Sequence, residues 1–381
     1  MKSIVINSVF LFLCMFFMQF PALVQAQELQ AMPQAEKLTQ QEFVEMTEPV
    51  VRVVEQDPQT SFSFRVVPEW TEIGDDKLKN YVSQGRLYGD VAVFVGPLTS
   101  QGRARFEVTS EELTSALYLK HWVIDRIIKN GYTLISIEEK PDGRMEALYI
   151  IFKDGITNVT RSLFKVNGKR ILMATYMIPQ DLYKQYKDQQ IRTLENFRFT
   201  ENDREYAEDV KTYAYLDKRK FEYPQSLIVN SSDIISEDEF TIELLLRDQQ
   251  NFIKGNFRVD IYARDQEDFD LKQKVADLLN AWDENKLERR DLIEKKKYDT
   301  NENITYQNID VYGMSVKSSE YLKYEEDPIT QELWLGILAD EEYYYVVSLV
   351  GVARDIDIIS WSRNARAYEM IIRSLRKSEL L

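Results

Sequence analysis

Four β-rich runs, Thr133 to Ile137, Ala147 to Phe152, Val159 to Val166 and Arg170 to Tyr176, follow one another with only turn signals between them. The separators are Pro141-Asp142-Gly143, Asp154-Gly155 and Asn167-Gly168, residues that preset or tolerate the backbone angles of tight turns. Strands joined this closely must run antiparallel, because a parallel crossover needs a dozen or more residues. The middle of the chain is therefore a meander, and every other element has to pack on it.

Before the meander, Phe62-Ser63-Phe64-Arg65-Val66 alternates as a half-buried strand, and Val91 to Val95 is a continuous apolar strand stopped by Gly96-Pro97. Thr109 or Ser110, ahead of Glu111 and Glu112, predicts the cap of a helix whose inner face carries Leu113, Leu117, Ile124, Ile127 and Ile128. After the meander, Pro179 opens a second helix with Tyr183, Tyr186, Leu194 and Phe197 on its buried side. The acidic stretch 200–210 then reads as a connection.

The second half repeats this order of elements. Phe221-Glu222-Tyr223-Pro224, Thr241 to Leu246 and Phe257 to Tyr262 are strands, and Leu271, Val275, Leu278, Leu279 and Trp282 form a helical stripe. Strands at Leu333 to Leu338, Tyr343 to Val350 and Asp355 to Ser360 follow, then a helix burying Ala365, Tyr368, Ile371, Ile372 and Leu375. Leu333, Leu335 and Ile337 are apolar on one strand parity and Trp334 and Leu338 on the other, so the sheet needs cover on both faces. The expected fold class is α+β: two tandem α-β-α sandwich domains, residues 60–200 and 211–381, each an antiparallel sheet covered by helices.

Met1-Lys2-Ser3-Ile4, the apolar run Val9 to Met18, Pro21 and Val24-Gln25-Ala26 have the layout of a signal peptide over residues 1–26, with a mature start at Gln27. Residues 27–59, rich in Gln and Glu with Pro33, Pro49 and Pro58, read as a flexible tether interrupted by one short helix at the capping box Thr39-Gln40-Gln41-Glu42. An uncleaved anchor is the alternative for the N-terminus. Cys14 is the only cysteine and lies in the apolar run, so a mature chain has no disulfide, thiolate nucleophile or Cys-held metal. Its formal net charge is -15 with Lys2 counted and -16 without it, which opposes nucleic acid and anionic membrane surfaces as main partners. The expected compartment is periplasmic or secreted.

Phe62-x-Phe64-x-x-x-Pro68-x-Trp70, followed by helix, meander and a closing Leu194-x-x-Phe197-x-Phe199, resembles the PsbP-like α-β-α sandwich family. That family includes extrinsic subunits of photosystem II, nuclear-transport relatives and small exported bacterial proteins. The resemblance covers roughly 140 residues of the first half and reaches the second through element order. It implies non-catalytic domains that bind or assemble larger complexes. Some members bind metal through histidines and carboxylates; this chain has one histidine, and no binding residue carries over.

The sequence offers no catalytic, cofactor-binding or metal residue to assign, and no cofactor. His121, the only histidine, reads as a packed structural residue beside a helix stripe, with a general base as the alternative. Asp265-Gln266-Glu267-Asp268-Phe269-Asp270 lacks the glycine and the distal glutamate of a calcium loop and reads as helix-capping acids. Asp340-Glu341-Glu342 reads as a charged hairpin turn, and Glu325-Glu326-Asp327 as a solvated loop. Trp334 and Tyr343-Tyr344-Tyr345 read as core. The basic stretch from Arg289-Arg290 to Lys295-Lys296-Lys297 is the one local charge inversion; it reads as a solvated helix end or loop, with an acidic partner or phospholipid headgroup as the alternative. The expected function is an exported non-catalytic binding or assembly factor at the bacterial cell envelope, acting by protein-protein contact with another envelope protein. The alternatives are a carboxylate-dependent hydrolase of envelope glycans and a membrane-anchored structural subunit.

Overall fold

The computed structural model describes residues 29–377 apart from 75–76, 79, 84–85, 154, 201–206, 217–218, 267–268, 285–286, 301 and 317–329. The expected signal segment and the Glu325 to Asp327 loop lie outside the described residues. Five α-helices are described, α1 (Gln40–Glu45), α2 (Leu119–Lys129), α3 (Gln180–Glu195), α4 (Leu271–Glu284) and α5 (Ile358–Ser374), with one 3-10 turn at Pro58–Thr60. The rest is mainly antiparallel sheet, an α+β fold.

Two large sheets share one strand order. The first runs Thr71–Glu72, Arg86–Val95, Arg105–Glu112, Arg170–Pro179, Ile156–Asn167, Met145–Lys153, Thr133–Glu139, with Asn80–Ser83 also on Arg86–Val95. The second runs Leu227–Ile234, Glu239–Arg247, Ile253–Ala263, Tyr343–Val352, Gln331–Ala339, Tyr306–Val316, Leu287–Lys296. In each, the chain leaves the third strand, passes through a helix, and meanders back so that its last strand pairs antiparallel with the third. Each half also has a small sheet in which a two-residue strand after the last helix pairs with a strand preceding the large sheet: Arg198–Phe199 with Phe62–Val66, and Arg376–Lys377 with Arg219–Pro224.

Strand parity decides which core a residue enters. Along Arg170–Pro179, Leu172, Ala174, Tyr176 and Ile178 pack with Leu182 and Leu194 of α3, while Ile171, Met173 and Met177 pack with Trp122, Val123 and Ile127 of α2. In the second sheet Trp334 and Leu338 pack with Trp361, Ala365, Tyr368 and Ile371 of α5. Leu335, from the other parity, lies under Val275, Leu278 and Trp282 of α4.

Four sequence readings are corrected. Thr109 and Ser110 do not cap a helix: Arg105–Glu112 is a strand, Thr109 faces Asp90 and Met173 across its neighbours, and α2 starts only after Tyr118. Asp355 to Ser360 is not a strand, because the Asp357 carboxylate accepts from Ser360 N and Oγ and starts α5. The basic run is neither helix end nor loop: Leu287–Lys296 is the edge strand of the second sheet, where charged side chains discourage further pairing.

Nor is the segment leading to Gln59 a tether over its described part. The Thr39 capping box forms as spaced, but α1 buries Phe43 completely, and Glu48–Arg52 pairs with Phe62–Val66. Asp188 of α3 accepts three backbone N–H groups, from Glu36, Lys37 and Leu38, at 3.1, 2.6 and 3.0 Å. Those bonds satisfy amides that a low-hydrophobicity segment would otherwise leave to water.

Candidate functional site

The loop before α2 brings the two halves together. Ala116 N donates to Glu208 Oε1 at 2.7 Å, and Ser226 N to Glu208 Oε2 at 2.8 Å, so one carboxylate ties both halves to their connection. Helices α2 and α5 pack against each other. Tyr118 packs on the core of the second half and Ile359 on the core of the first, an exchange of one side chain each way.

His121 sits in this contact, half-buried, edge-on to Trp361 with ring centroids 5.0 Å apart. Its Nδ1 lies 3.1 Å from Ser362 Oγ, which also accepts from Tyr118 N at 2.9 Å. With the backbone N–H on one of its two lone pairs, the Ser362 hydroxyl keeps both a lone pair and its proton for Nδ1, so the contact serves either imidazole tautomer. Burial, then the charges of Lys120, Arg354 and Lys296, push the His121 pKa down to about 4. A serine beside a histidine suggests a nucleophile pair, but Ser362 is fully buried inside α5, and this histidine is a weak base at neutral pH. The contact is an interface, in keeping with the packed reading from sequence; its position between the halves was not legible there.

Beside this contact opens a cleft of about 830 Å³. One wall is the stretch Ala116 to His121 with Met145, Lys165 and Val166; the other is Glu294 to Tyr298 with Arg354, Trp361 and Arg366. The basic run thus ends at the cleft with Lys295, Lys296 and Lys297, and Arg354 and Arg366, from outside that strand, face it too. Glu332, buried beneath, accepts from Arg354 Nε at 2.7 Å and from the indoles of Trp334 and Trp361 at 3.0 and 2.7 Å. Those bonds hold its carboxyl below the usual range against the cost of burial.

Asp340, Asp270, Trp334 and Tyr345, also singled out in the sequence, do not line the cleft. Asp340 is buried at its hairpin, accepting from Glu342 N, Tyr343 N and Tyr345 Oη at 2.8, 2.7 and 2.6 Å beside Arg219. Asp270 accepts from Lys272 N and Gln273 N at the start of α4; Glu267 and Asp268 of the same run lie outside the described residues. Trp334 and Tyr345 are buried core. Among the described residues no group of three or more His, Cys, Asp or Glu side chains is placed to hold a metal ion. No described helix is long and apolar enough to cross a membrane.

No family model matches the sequence, and no curated protein matches it. Among solved structures, cyanobacterial PsbP (CyanoP) from Synechocystis sp. PCC 6803 is similar at 12% identity and a TM-score of 0.30, covering 40% of this chain and 92% of that one. The immunity protein TplEi of T6SS from Pseudomonas aeruginosa is similar at 11% identity and a TM-score of 0.20, over 83% of this chain and 94% of that one. A chain of the Tle4-Tli4 complex is similar at 10% identity and a TM-score of 0.20, over 83% and 95%. The PsbP resemblance is weak and spans less than half of this chain.

Proposed function

We propose that this chain is an exported, non-catalytic binding or assembly factor, two PsbP-like α-β-α sandwiches over residues 60–200 and 211–381, which works at the bacterial cell envelope by contact with another protein. The observation that carries the reading is the cleft between the halves: it is open, it takes both halves to form, and its walls mix lysines with apolar side chains. Such a surface suits a protein segment better than a small substrate, which needs an enclosed pocket with converging acid and base groups.

The hydrolase alternative calls for one carboxyl held high enough to act as an acid near neutral pH. Among the described residues the carboxyls whose titration is displaced move the other way, Glu146 through Arg161 and Lys140, Glu332 through Arg354 and Asp357 through Ser360 among them. The anchored-subunit alternative turns on residues 1–26.

Crosslinking capture of the tagged protein from its native envelope, with the N-terminus of the recovered chain determined, tests the proposal. One stoichiometric protein partner and a start at Gln27 are expected. Turnover of an envelope glycan, abolished by replacing a single carboxylate, would overturn it.

A further inference from the structure

Resting on that binding-factor reading, we infer that the cleft between the halves takes an extended acidic segment of the partner protein, held by Lys120, Lys165 and Lys297. The chain as a whole is strongly acidic, at -15, yet seven Lys and Arg side chains line this cleft against three carboxylates. Four of the seven are engaged: Arg354 with Glu332, Arg366 with Glu369, Lys295 with Asp310 and Lys296 with Glu294. Lys120, Lys165 and Lys297 have no carboxylate partner among the described residues. They come from three elements: the first turn of α2, the strand Ile156–Asn167, and the residue after the edge strand Leu287–Lys296. Gathering unpaired cations in one concavity raises its potential and attracts anions. α2 adds the positive end of its dipole, since it begins at the cleft.

The chemistry of the occupant follows from what is left unengaged. The planar guanidinium forks of Arg354 and Arg366, which would suit phosphate, are committed to Glu332 and Glu369. What remains are separate ammonium charges with the half-buried Leu119, Val166 and Tyr298 on the same lining. Spaced carboxylates with apolar side chains between them match that pattern. A flat anionic bilayer meets it poorly, because the lysines line a concavity between two bodies.

The chain carries a single histidine, so the His121 C2–H resonance reports from inside the site. A short peptide of alternating glutamate and leucine is the probe, with its lysine–leucine counterpart, inorganic phosphate and phosphatidylglycerol vesicles as comparisons. The acidic peptide is expected to shift that resonance at neutral pH and to bind more weakly as salt shortens the screening length. The triple variant Lys120→Glu, Lys165→Glu, Lys297→Glu is expected to bind it about tenfold less tightly or worse; a Lys→Gln set replaces it should the reversals impair folding. Equal binding by the variants, or binding of phosphate or vesicles through these lysines in preference to the peptide, overturns the inference. Capture of the native partner separates the two levels. A partner retained by the triple variant removes the cleft assignment and leaves the binding-factor reading standing; a partner lost by the variant alone supports both.

Discussion

The Tyr118 hydroxyl donates to Glu369 Oε2 at 2.8 Å, joining the loop before α2 to the middle of α5. Glu369 is buried, and its carboxylate also takes Arg366 at 2.7 Å and Arg373 at 2.8 Å. Removing one neutral donor differs from removing the charge on which three donors converge. Tyr118→Phe is expected to cost about 1.5–2 kcal/mol, a single hydrogen bond to a charged acceptor. Glu369→Ala is expected to cost more, about 3 kcal/mol, because the Tyr118 hydroxyl loses its acceptor and the partly exposed Arg366 and Arg373 each lose an ion pair to a buried carboxylate. Urea unfolding checks the pair, and equal costs would show that the arginines contribute nothing.

The depressed His121 pKa has a consequence for acid stability. In the unfolded chain an imidazole takes its proton near 6.5; in the folded protein it resists until about 4. Between those values the unfolded state binds more protons, so stability falls as pH drops through this window and is fully present above it. The variant His121→Gln is expected to flatten that part of the stability curve, leaving the steeper loss at lower pH, where Glu146, Glu332 and Asp357 protonate. Thermal unfolding of both proteins from pH 7 to pH 4 measures the difference, and parallel curves would contradict the assignment.

What was legible in sequence was local. The meander turns were readable because Gly143, Gly155 and Gly168 take φ of +75°, +77° and +60°, a need that falls on single residues. Thr109 was misread because its strand partners Asp90 and Met173 lie far away in the chain, while the acids after it mimic a helix start. Asp355 to Ser360 alternates like a strand, yet the Asp357 carboxylate outweighs that pattern by capping α5. The cleft was invisible for the same reason. Lys120, Lys165 and Lys297 meet only through the packing of α2 on α5, and the basic run in which Lys297 stands hid a strand because charge at both parities masks alternation.

Arg161 and Glu146 form an ion pair in the first sheet with both side chains almost wholly buried, at 2% and 6% exposure. Lys140 reaches the second oxygen of Glu146 at 2.8 Å, and Arg161 also donates to Pro33 O at 2.8 Å, which holds the N-terminal segment on the sheet. Arg161→Met is expected to lose about 3–5 kcal/mol by leaving Glu146 underpaired in the interior. Arg161→Met with Glu146→Leu is expected to recover most of that loss, and limited proteolysis of both variants should cut earlier near Pro33 than in the parent. A double variant no more stable than the single one would place the cost in packing, not in charge.

Gly336 lies under the Tyr368 phenol, and a Cβ built on it meets Tyr368 Oη with no room to spare. Tyr368 is fully buried, donates to Val347 O at 3.0 Å, and stands edge-on to Trp334 with centroids 5.3 Å apart. The ring cannot swing aside without disturbing Trp334, whose indole reaches Glu332 under the cleft. Gly336→Ala is therefore expected to destabilise by about 2–3 kcal/mol through overpacking. Tyr368→Phe alone gives up a hydrogen bond, about 1 kcal/mol. In the double variant the atom that the new methyl meets is gone, so its cost is expected to fall below the sum of the two. Chemical denaturation of the four proteins measures this coupling. Strict additivity would mean that the methyl group is accommodated by a shift of the backbone and not by the phenol.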